Sequence, residues 1–369
     1  MSALPETGYS FASNGATDAR APGPIGGPGA WSGVDMAGRQ DEWLHEFSAA
    51  ELTELENALQ GCRKTDIIDI RRGNFVLPAL GQAFDTMRRE LLEGRGFLVL
   101  RGLPTDKYSI EETARIYFGL GSYFGNPRSQ NAKGHLLGHL CDLGARYDAF
   151  KRPGSTRVYQ THIRQPFHTD SVDVVSLLCL QKSKSGGESS ICSSYTVHDQ
   201  MWAQDRDLWA ELYKPMWRDR RGEIPPGKIG YYPMAAFHYF DGRLSTNYGR
   251  DYVDSTTRFE ELPPIPEKLT AAMDLFDRLA NDRDNRLDMH FEPGDIQILH
   301  NHQILHARAD FEDWPEVERK RHLSRLWLSP EDGRPLPPSF LERYLGTEIG
   351  NRGGIVEPGT RLCCPLEPE

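Results

Sequence analysis

Short apolar runs separated by turns rich in glycine and proline constrain this fold more than any other sequence feature. Four such runs cover residues 97–100, 173–180, 296–299 and 323–328. Runs of four to eight apolar residues flanked by turn residues are typical of buried strands, whereas helices are usually longer. Many short strands of this kind predict a mainly β fold with helical additions, and we expect a jelly-roll core.

Helices are predicted near the start of the chain and in one long insertion. Ser48 and Glu51 have the spacing of a capping box and precede a leucine-lined helix face. Further amphipathic stretches cover about residues 80–93, 197–213 and 267–280. We therefore expect a single domain over residues 41–369, with a helix and loop insertion at about 193–290.

The first forty residues differ in composition from the rest of the chain. Residues 1–40 are rich in glycine, proline, alanine and serine. Such a segment buries too little apolar surface to offset the entropy lost on ordering. We predict a flexible tail at residues 1–40, with Trp31 and Trp43 as the side chains that can dock onto the body of the protein.

Charge and cysteine usage exclude several classes of protein. The net charge is -10 and the pI is near 5.7, which argues against a nucleic-acid partner. No apolar run is long enough to span a bilayer, and the N-terminus lacks the pattern of a signal peptide. The six cysteines are scattered and form no CxxC pair. We expect a cytoplasmic protein with reduced cysteines and without a membrane partner. Whether the protein forms a homo-oligomer is left open by the sequence.

His168 and Asp170 are the first residues that indicate chemistry. On an extended strand, residues two apart point to the same side, so both can bind one metal ion. One more histidine would complete a 2-His-1-carboxylate set, which holds iron(II) and leaves three positions open. Those positions suit a bidentate 2-oxo acid and dioxygen. Alone the His-x-Asp pattern is a weak signal, because it also occurs by chance in loops.

Residues farther along the chain strengthen this hypothesis. His306 follows an apolar run and a Pro-Gly-Asp turn, and it can supply the missing histidine. Arg321 and Arg325 lie in another apolar run, where burial without an anionic partner is costly. A guanidinium group donates two parallel hydrogen bonds to a carboxylate, so a dicarboxylate cosubstrate fits. An internal salt bridge explains the two arginines equally well.

These residues belong to an ordered set of motifs that resembles the TauD/TfdA branch of the clavaminate-synthase-like iron(II)/2-oxoglutarate oxygenases. The motifs are GFLVLRGL at 96–103, FHTD at 167–170, GGES at 186–189, PGD at 293–295, HAR at 306–308 and RHLSR at 321–325. Together they cover roughly residues 85–330. The resemblance implies a double-stranded β-helix with iron(II) at one open end, held by His168, Asp170 and His306.

The resemblance also implies how a cosubstrate and a small-molecule substrate are bound. Arg321 matches the arginine that binds the distal carboxylate of 2-oxoglutarate, and Ser189 stands where the family often has a threonine with the same role. Arg325 matches a second arginine, near the cosubstrate or an acidic group of the substrate. Dioxygen is the remaining reactant. Related halogenases replace the ligand carboxylate with a small residue, so Asp170 favours hydroxylation or desaturation.

Several rival assignments follow from the same residues. His300 and His302 lie close to His306, but only His306 has the His-x-Arg context, so we expect supporting roles for the other two. Gln130 and Asn131 are candidate polar contacts for the substrate, although loop roles fit equally well. A catalytically inactive cupin-like binding protein and a zinc hydrolase with the same ligands are the alternative functions. Iron-dependent formation of succinate from 2-oxoglutarate distinguishes the oxygenase from both.

Overall fold

The computed structural model describes residues 20–144, 157–344, 346–355, 357 and 359–368. Its strands are β1 (Leu44–Glu46), β2 (Phe97–Arg101), β3 (Asn126–Arg128), β4 (Leu137–Leu140), β5 (Gln165–His168), β6 (Val174–Gln181), β7 (Ser185–Gly186), β8 (Ser189–Ser193), β9 (Met216–Asp219), β10 (Tyr231–Met234), β11 (Phe237–Phe240), β12 (Arg243–Thr246), β13 (Arg286–Met289), β14 (Ile296–His300), β15 (Ile304–Arg308), β16 (Phe311–Glu312) and β17 (His322–Ser329).

Helices flank these strands, chiefly before β2 and between β8 and β13. They are α1 (Gly33–Ala37), α2 (Gln40–Trp43), α3 (Ala49–Cys62), α4 (Leu80–Glu93), α5 (Ile110–Gly121), α6 (Ser194–Gln204), α7 (Arg206–Glu211), α8 (Arg250–Asp254), α9 (Glu267–Ala280) and α10 (Leu341–Tyr344). Within the described ranges no helix is long and apolar enough to cross a membrane.

Two sheets form the centre of the molecule. The larger has seven strands in the order β1-β2-β14-β6-β17-β3, with β4 also paired to β17, and the smaller has four in the order β13-β8-β15-β5. Strands β1 and β2 pair in parallel, whereas the other neighbours in both sheets pair antiparallel. This arrangement brings strands that are distant in sequence next to one another.

Side-chain alternation explains how the two sheets bury both of their faces. In β2, Phe97 and Val99 pack with Ile191 and Ile304 of the smaller sheet, whereas Leu98 and Leu100 belong to the cluster that includes α3, α4 and α5. Alternate residues of a strand point to opposite faces, so every position of this short run is buried. The result is an apolar interior between the two sheets and a layer of helices on the outer face of the larger sheet.

Most elements lie where the sequence pattern predicts them. Helices α4 and α9 span residues 80–93 and 267–280, as predicted, and α3 begins with the capping box of Ser48 and Glu51. The stretch predicted as one helix over 197–213 is two helices, because Asp205 separates α6 from α7 and caps the second. The segment between β8 and β13 also carries the paired strands β9–β10 and β11–β12.

The segment predicted as a flexible tail makes long-range contacts over residues 20–40. Residues 1–19 lie outside the described residues, whereas residues 20–40 pack against the body. The Trp31 side chain is 5% exposed, and its indole nitrogen donates to the carbonyl oxygen of Arg95 at 2.8 Å. The Asp199 carboxylate accepts hydrogen bonds from the backbone nitrogens of Ile25 and Gly26. Long-range contacts therefore hold residues 20–40 against the body, which the composition of this segment does not predict.

Candidate metal and cosubstrate site

Two paired strands of the smaller sheet bring His168 and His306 together. His168 ends β5 and His306 lies in the middle of β15, and the two are direct partners in the antiparallel register. Asp170 follows two residues after His168. Ligand atoms of His168, Asp170 and His306 all lie within 4.8 Å of one another. The structure thus brings together the three residues predicted as metal ligands.

The two imidazoles differ in their hydrogen bonds. The Nδ1 atom of His168 lies 2.8 Å from the carbonyl oxygen of Pro166, which favours a proton on Nδ1 and a free electron pair on Nε2. The amide nitrogen of Gln165 lies 2.9 Å from that Nε2, a contact that a metal ion would replace. The Nδ1 atom of His306 is buried and has no hydrogen-bond partner among the described residues. Burial lowers the pKa of His306 to about 3, with the nearby His168 acting in the same direction.

Asp170 is held as a carboxylate by its surroundings. Burial alone would raise its pKa, but the charge of Arg325, the two histidines and a hydrogen bond from Trp327 together lower the pKa to about 2. Arg325 Nη1 lies 3.1 Å from Asp170 Oδ2, and Trp327 Nε1 donates to the same oxygen at 2.8 Å. The other oxygen, Oδ1, lies 3.8 Å from His168 Nε2. An ionised carboxylate and neutral imidazoles are the protonation states that bind metal ions.

The donor set fits a divalent transition metal. Such an ion binds imidazole nitrogen and carboxylate oxygen. The Asp170 carboxylate faces both imidazoles, with Oδ1 3.8 Å from His168 Nε2 and Oδ2 3.9 Å from His306 Nε2. Two imidazoles and one carboxylate on one side are typical of non-haem iron(II) oxygenases.

Two buried arginines line the cavity beside the histidines. Arg308 and Arg321 are both buried, and the guanidinium carbon of each lies about 5 Å from the ring centre of Phe311, at 4.9 and 5.2 Å respectively. Nη1 of each and Nε of Arg308 have no hydrogen-bond partner among the described residues. Burial lowers the pKa of Arg308 to about 9 and that of Arg321 to about 10, and the charge of Arg321 lowers the pKa of Arg308 further. Two adjacent cations with spare donors favour an anionic ligand.

The other predicted cosubstrate residues lie near this pair, though with different contacts. Ser189 is the direct partner of Arg308 in the β8–β15 register and lines the same cavity. Arg325 also lines it, but its guanidinium contacts Asp170 and donates to Gln130 Oε1 at 2.7 Å. Gln130, predicted as a candidate substrate contact, is buried, accepts this bond from Arg325 and also lines a second cavity beside Asp170. Asn131 accepts a hydrogen bond from the backbone nitrogen of Lys133, which is a loop role.

A second cavity opens on the other side of His168 and Asp170. Residues of both charge signs and several aromatic rings line it, including Arg157, Tyr159, Arg221, Glu223, Tyr252 and Arg343. Arg157 and Glu223 form an ion pair at 2.6 Å. Three of the six, Arg221, Glu223 and Tyr252, belong to the segment between β8 and β13. A small polar molecule in this cavity would lie next to the metal ligands.

The rival histidines take supporting positions. His302 Nε2 lies 2.7 Å from Asp173 Oδ1, and His300 contacts Arg334. His322 alternates away from the cavity and contacts His139. Among the described residues, only His168, Asp170 and His306 form a group that could hold a metal ion.

Sequence reasoning missed two residues that hold Asp170, one through its carboxylate and one through its backbone. Trp327 donates to Asp170, and the side chain of Asn301 bonds both the backbone nitrogen and the carbonyl oxygen of Asp170, each at 2.8 Å. Trp327 could have been found, because it lies two residues after Arg325 on the same face of β17. No sequence feature points to Asn301 in the same way, because asparagine is common in turns.

A two-sheet β core with two histidines and a carboxylate inside it, beside a buried basic pocket, defines the class of iron(II)- and 2-oxoglutarate-dependent oxygenases. A family model described as "Taurine catabolism dioxygenase TauD, TfdA family" matches residues 59–327. The chain therefore belongs to the TauD/TfdA family. It is an iron(II)- and 2-oxoglutarate-dependent dioxygenase, as the sequence predicted, and it uses dioxygen.

Relatives and solved structures agree with this assignment. FR-33289 synthase from Streptomyces rubellomurinus is 31% identical over 331 residues, which cover 88% of this chain and 95% of the relative. The taurine hydroxylase-like protein SAT17 from Stachybotrys chartarum is 29% identical over 326 residues, which cover 84% of this chain and 81% of the relative.

Two solved structures confirm the predicted fold class. Asparagine oxygenase in complex with Fe(II), 2S,3S-3-hydroxyasparagine and succinate has a TM-score of 0.59 at 13% identity, covering 78% of this chain and 93% of that chain. The non-heme iron oxygenase OrfP in complex with Fe and alpha-ketoglutaric acid has a TM-score of 0.57 at 14% identity, covering 77% of this chain and 93% of that chain. The mainly β, jelly-roll prediction is therefore correct.

Proposed function

We propose that His168, Asp170 and His306 bind the iron(II) ion of this oxygenase. The observation that carries the proposal is the convergence of their ligand atoms within 4.8 Å around a carboxylate whose pKa is lowered to about 2. Arg325 and Trp327 orient that carboxylate, and Asn301 fixes its backbone. Groups that orient metal ligands in this way tune both geometry and affinity.

We further propose that the distal carboxylate of 2-oxoglutarate binds Arg321. Arg321 is buried, has a spare Nη1 donor and lines the cavity that begins at the metal-site histidines. Arg308 adds a second positive charge and Ser189 a hydroxyl group on the neighbouring strand. An anion placed here would offset the cost of burying two cations together. Leu140, Leu177 and Leu323 line the same cavity and would exclude water from the bound cosubstrate.

Bound iron(II) would supply the oxidative chemistry of the TauD/TfdA family. Iron(II) with 2-oxoglutarate and dioxygen supplies an oxidant that removes hydrogen from a C–H bond, with succinate and carbon dioxide as products of the cosubstrate. The residues of this chain bind the reactants, orient the ligand carboxylate and hold the substrate beside it. Hydroxylation or desaturation of the substrate follows from the intact Asp170.

We infer that the substrate is a small polar molecule with an acidic group, such as an amino acid or a natural-product intermediate. The cavity beside Asp170 contains the Arg157–Glu223 ion pair, a further guanidinium from Arg221 and the ring of Tyr252. Charges of both signs suit a ligand that carries both signs. The asparagine oxygenase of similar fold, solved with 3-hydroxyasparagine, is consistent with an amino-acid substrate.

Succinate formation tests the proposal. The purified protein would receive iron(II), 2-oxoglutarate and dioxygen with panels of amino acids, carboxylic acids without an amine and amines without an acid. We expect iron- and dioxygen-dependent succinate, stimulated most by molecules with an acidic group, and none from Asp170→Ala. Two results would overturn the proposal: no succinate with any panel member, or a reaction that continues without iron and dioxygen, as for a zinc hydrolase.

A further inference from the structure

The C-terminal segment packs against the loop that carries Asp170. Residues 330–355 follow β17 and lie beyond residues 59–327, the region matched by the family. The loop, residues 170–173, connects β5 to β6 and contains a metal-ligand candidate at its first position. Contacts between these two segments therefore bear directly on the position of that ligand.

Backbone groups of the loop are divided between two partners. The Asn301 side chain bonds the nitrogen and oxygen of Asp170 and also the carbonyl oxygen of Val172. The C-terminal segment supplies further bonds: the Gly354 nitrogen donates to the Ser171 carbonyl oxygen at 2.6 Å, and the Tyr344 hydroxyl donates to the Val172 carbonyl oxygen at 3.1 Å. The loop is thus held from two sides.

The approach of the segment to the loop is close enough to require glycine. Gly353 has a φ of 74°, and a Cβ atom there would lie 2.8 Å from the Ser171 carbonyl oxygen. Gly354 has a φ of 78°, and its Cβ atom would lie 2.7 Å from the carbonyl oxygen of Ser129. Backbone contact at this distance is available only to residues without a side chain.

A buried ion pair anchors the segment to the end of the same loop. Arg352 Nε lies 2.9 and 3.0 Å from the two carboxylate oxygens of Asp173, and both residues are 1% exposed. His302 and Ser329 satisfy the same carboxylate at 2.7 and 3.0 Å. The Arg352 Nη2 atom donates to the carbonyl oxygen of Arg334 at 2.6 Å. Removing one partner of such a pair leaves an uncompensated buried charge.

We propose that Arg352 is a positioning residue for the metal carboxylate. By fixing Asp173 and seating Gly353 and Gly354 on the loop, it holds Asp170 where its carboxylate meets His168 and His306. Asn301 holds only part of the loop, so without Arg352 the loop loses the support of the C-terminal segment, while Arg325 and Trp327 still contact the Asp170 carboxylate. The inference rests on the proposed metal ligands, and it assigns a role to a segment outside the family region.

This inference can be tested by measuring metal affinity independently of catalytic activity. Anaerobic calorimetry with manganese(II) or iron(II) would compare the wild type with Arg352→Met, which keeps apolar bulk and removes the charge, and with Arg352→Lys. We expect metal binding to weaken roughly 10- to 100-fold in Arg352→Met, as is typical when a group that orients a ligand is lost. Arg352→Lys should recover part of the affinity.

A matched control separates positioning from stability. Arg101→Met breaks another ion pair to a buried aspartate, with Arg101 Nη2 2.6 Å from Asp295 Oδ2, and should lower the unfolding temperature without changing metal affinity. If Arg352→Met does not fold, Tyr344→Phe removes only the hydroxyl bond to Val172 and should weaken metal binding by a smaller factor. Unchanged metal affinity in a folded Arg352→Met, or in Tyr344→Phe as its substitute, would overturn the inference. Equal affinity of wild type and Asp170→Ala would instead overturn the proposed ligands.

Discussion

His168 and His306 are direct partners across strands β5 and β15, and their imidazole centroids lie 4.1 Å apart. One residue comes from the first half of the chain and the other from its last fifth. The pairing of two strands in one sheet fixes their separation, because register in an antiparallel pair sets which side chains meet. Asp170 is then placed by the loop that follows β5.

Substitution of the proposed ligands should abolish metal binding and turnover. His168→Ala, Asp170→Ala and His306→Ala each remove one of three donors that act together, so we expect loss of bound iron and no detectable succinate with the fold retained. Metal content and circular dichroism measure the two effects. His162→Ala is the control, because His162 is an exposed histidine outside the metal group. Full activity in His306→Ala together with its loss in His302→Ala would move the ligand to His302.

Arg321→Ala should raise the apparent Michaelis constant for 2-oxoglutarate far more than that for the substrate. Loss of a charged hydrogen-bonding partner costs about 1.5–3 kcal/mol, which corresponds to roughly tenfold or more in affinity. Arg321→Lys should restore only part of this, since an ammonium group lacks the planar fork. Arg325→Ala should mainly disturb the metal site or substrate, since Arg325 contacts Asp170. A 2-oxoglutarate titration at saturating iron(II) that shows no change in Arg321→Ala would contradict the assignment.

Arg308→Met should also weaken 2-oxoglutarate binding, by roughly tenfold. Arg308 and Arg321 lie over the same phenylalanine ring and have spare donors, so we expect both to meet the cosubstrate. Their effects should not add in the double variant, because both act on one ligand group. Calorimetric titration with 2-oxoglutarate measures this, with Arg319→Met as an exposed control. Additive losses in the double variant would show that the two arginines act separately.

Acidification should destabilise the metal-free protein between about pH 6.5 and 4. Burial lowers the pKa of His306 to about 3 and those of His302 and His322 to about 4. An unfolded histidine titrates near pH 6.5, so the unfolded chain takes up more protons in this window and the free energy of unfolding falls as pH falls.

Three carboxylates oppose this trend. Burial raises the pKa of Asp277 to about 6 and also raises the pKa values of Asp254 and Asp313, so their contributions grow as pH falls. His300, whose pKa burial lowers well below its ordinary value, acts with the other three histidines. Urea unfolding at pH 7, 6 and 5 measures the net effect, and His322→Gln should reduce the pH dependence. Stability that is unchanged or higher at pH 5 would contradict the prediction.

Removal of residues 1–40 should lower the unfolding temperature. Trp31 packs against Phe97 with ring centroids 5.1 Å apart and lies in the core between the sheets. Loss of a buried tryptophan side chain costs about 3–5 kcal/mol. A chain starting at Asp41 would be compared with Trp31→Ala in the full chain by thermal unfolding. We expect a lower unfolding temperature in both proteins, with the larger decrease in the truncated chain. An unchanged unfolding temperature would instead support the predicted flexible tail.

Local sequence pattern determined the elements and the chemistry of the site. The strand over 97–101 and the helices over 80–93 and 267–280 follow from periodicity and capping, which depend on neighbouring residues only. The spacing of His168 and Asp170 and the order of the motifs predicted the metal donors and identified the reaction class. These features are readable because each is contained within a few consecutive residues.

Only the tertiary structure decided what surrounds those donors. The sequence left open whether Arg321 and Arg325 contact a cosubstrate or an internal carboxylate. In the structure Arg325 forms an ion pair with Asp170, whereas the Nη1 atom of Arg321 has no hydrogen-bond partner among the described residues. Gln130, a candidate substrate contact, lines the cavity beside Asp170 and also supports Arg325, a contact that the sequence did not predict. Trp31 and Arg352 are buried by partners that lie far away in the chain. Contacts between residues so far apart in the chain depend on sheet register and on the packing of distant segments. Neither produces a periodic pattern in the local sequence.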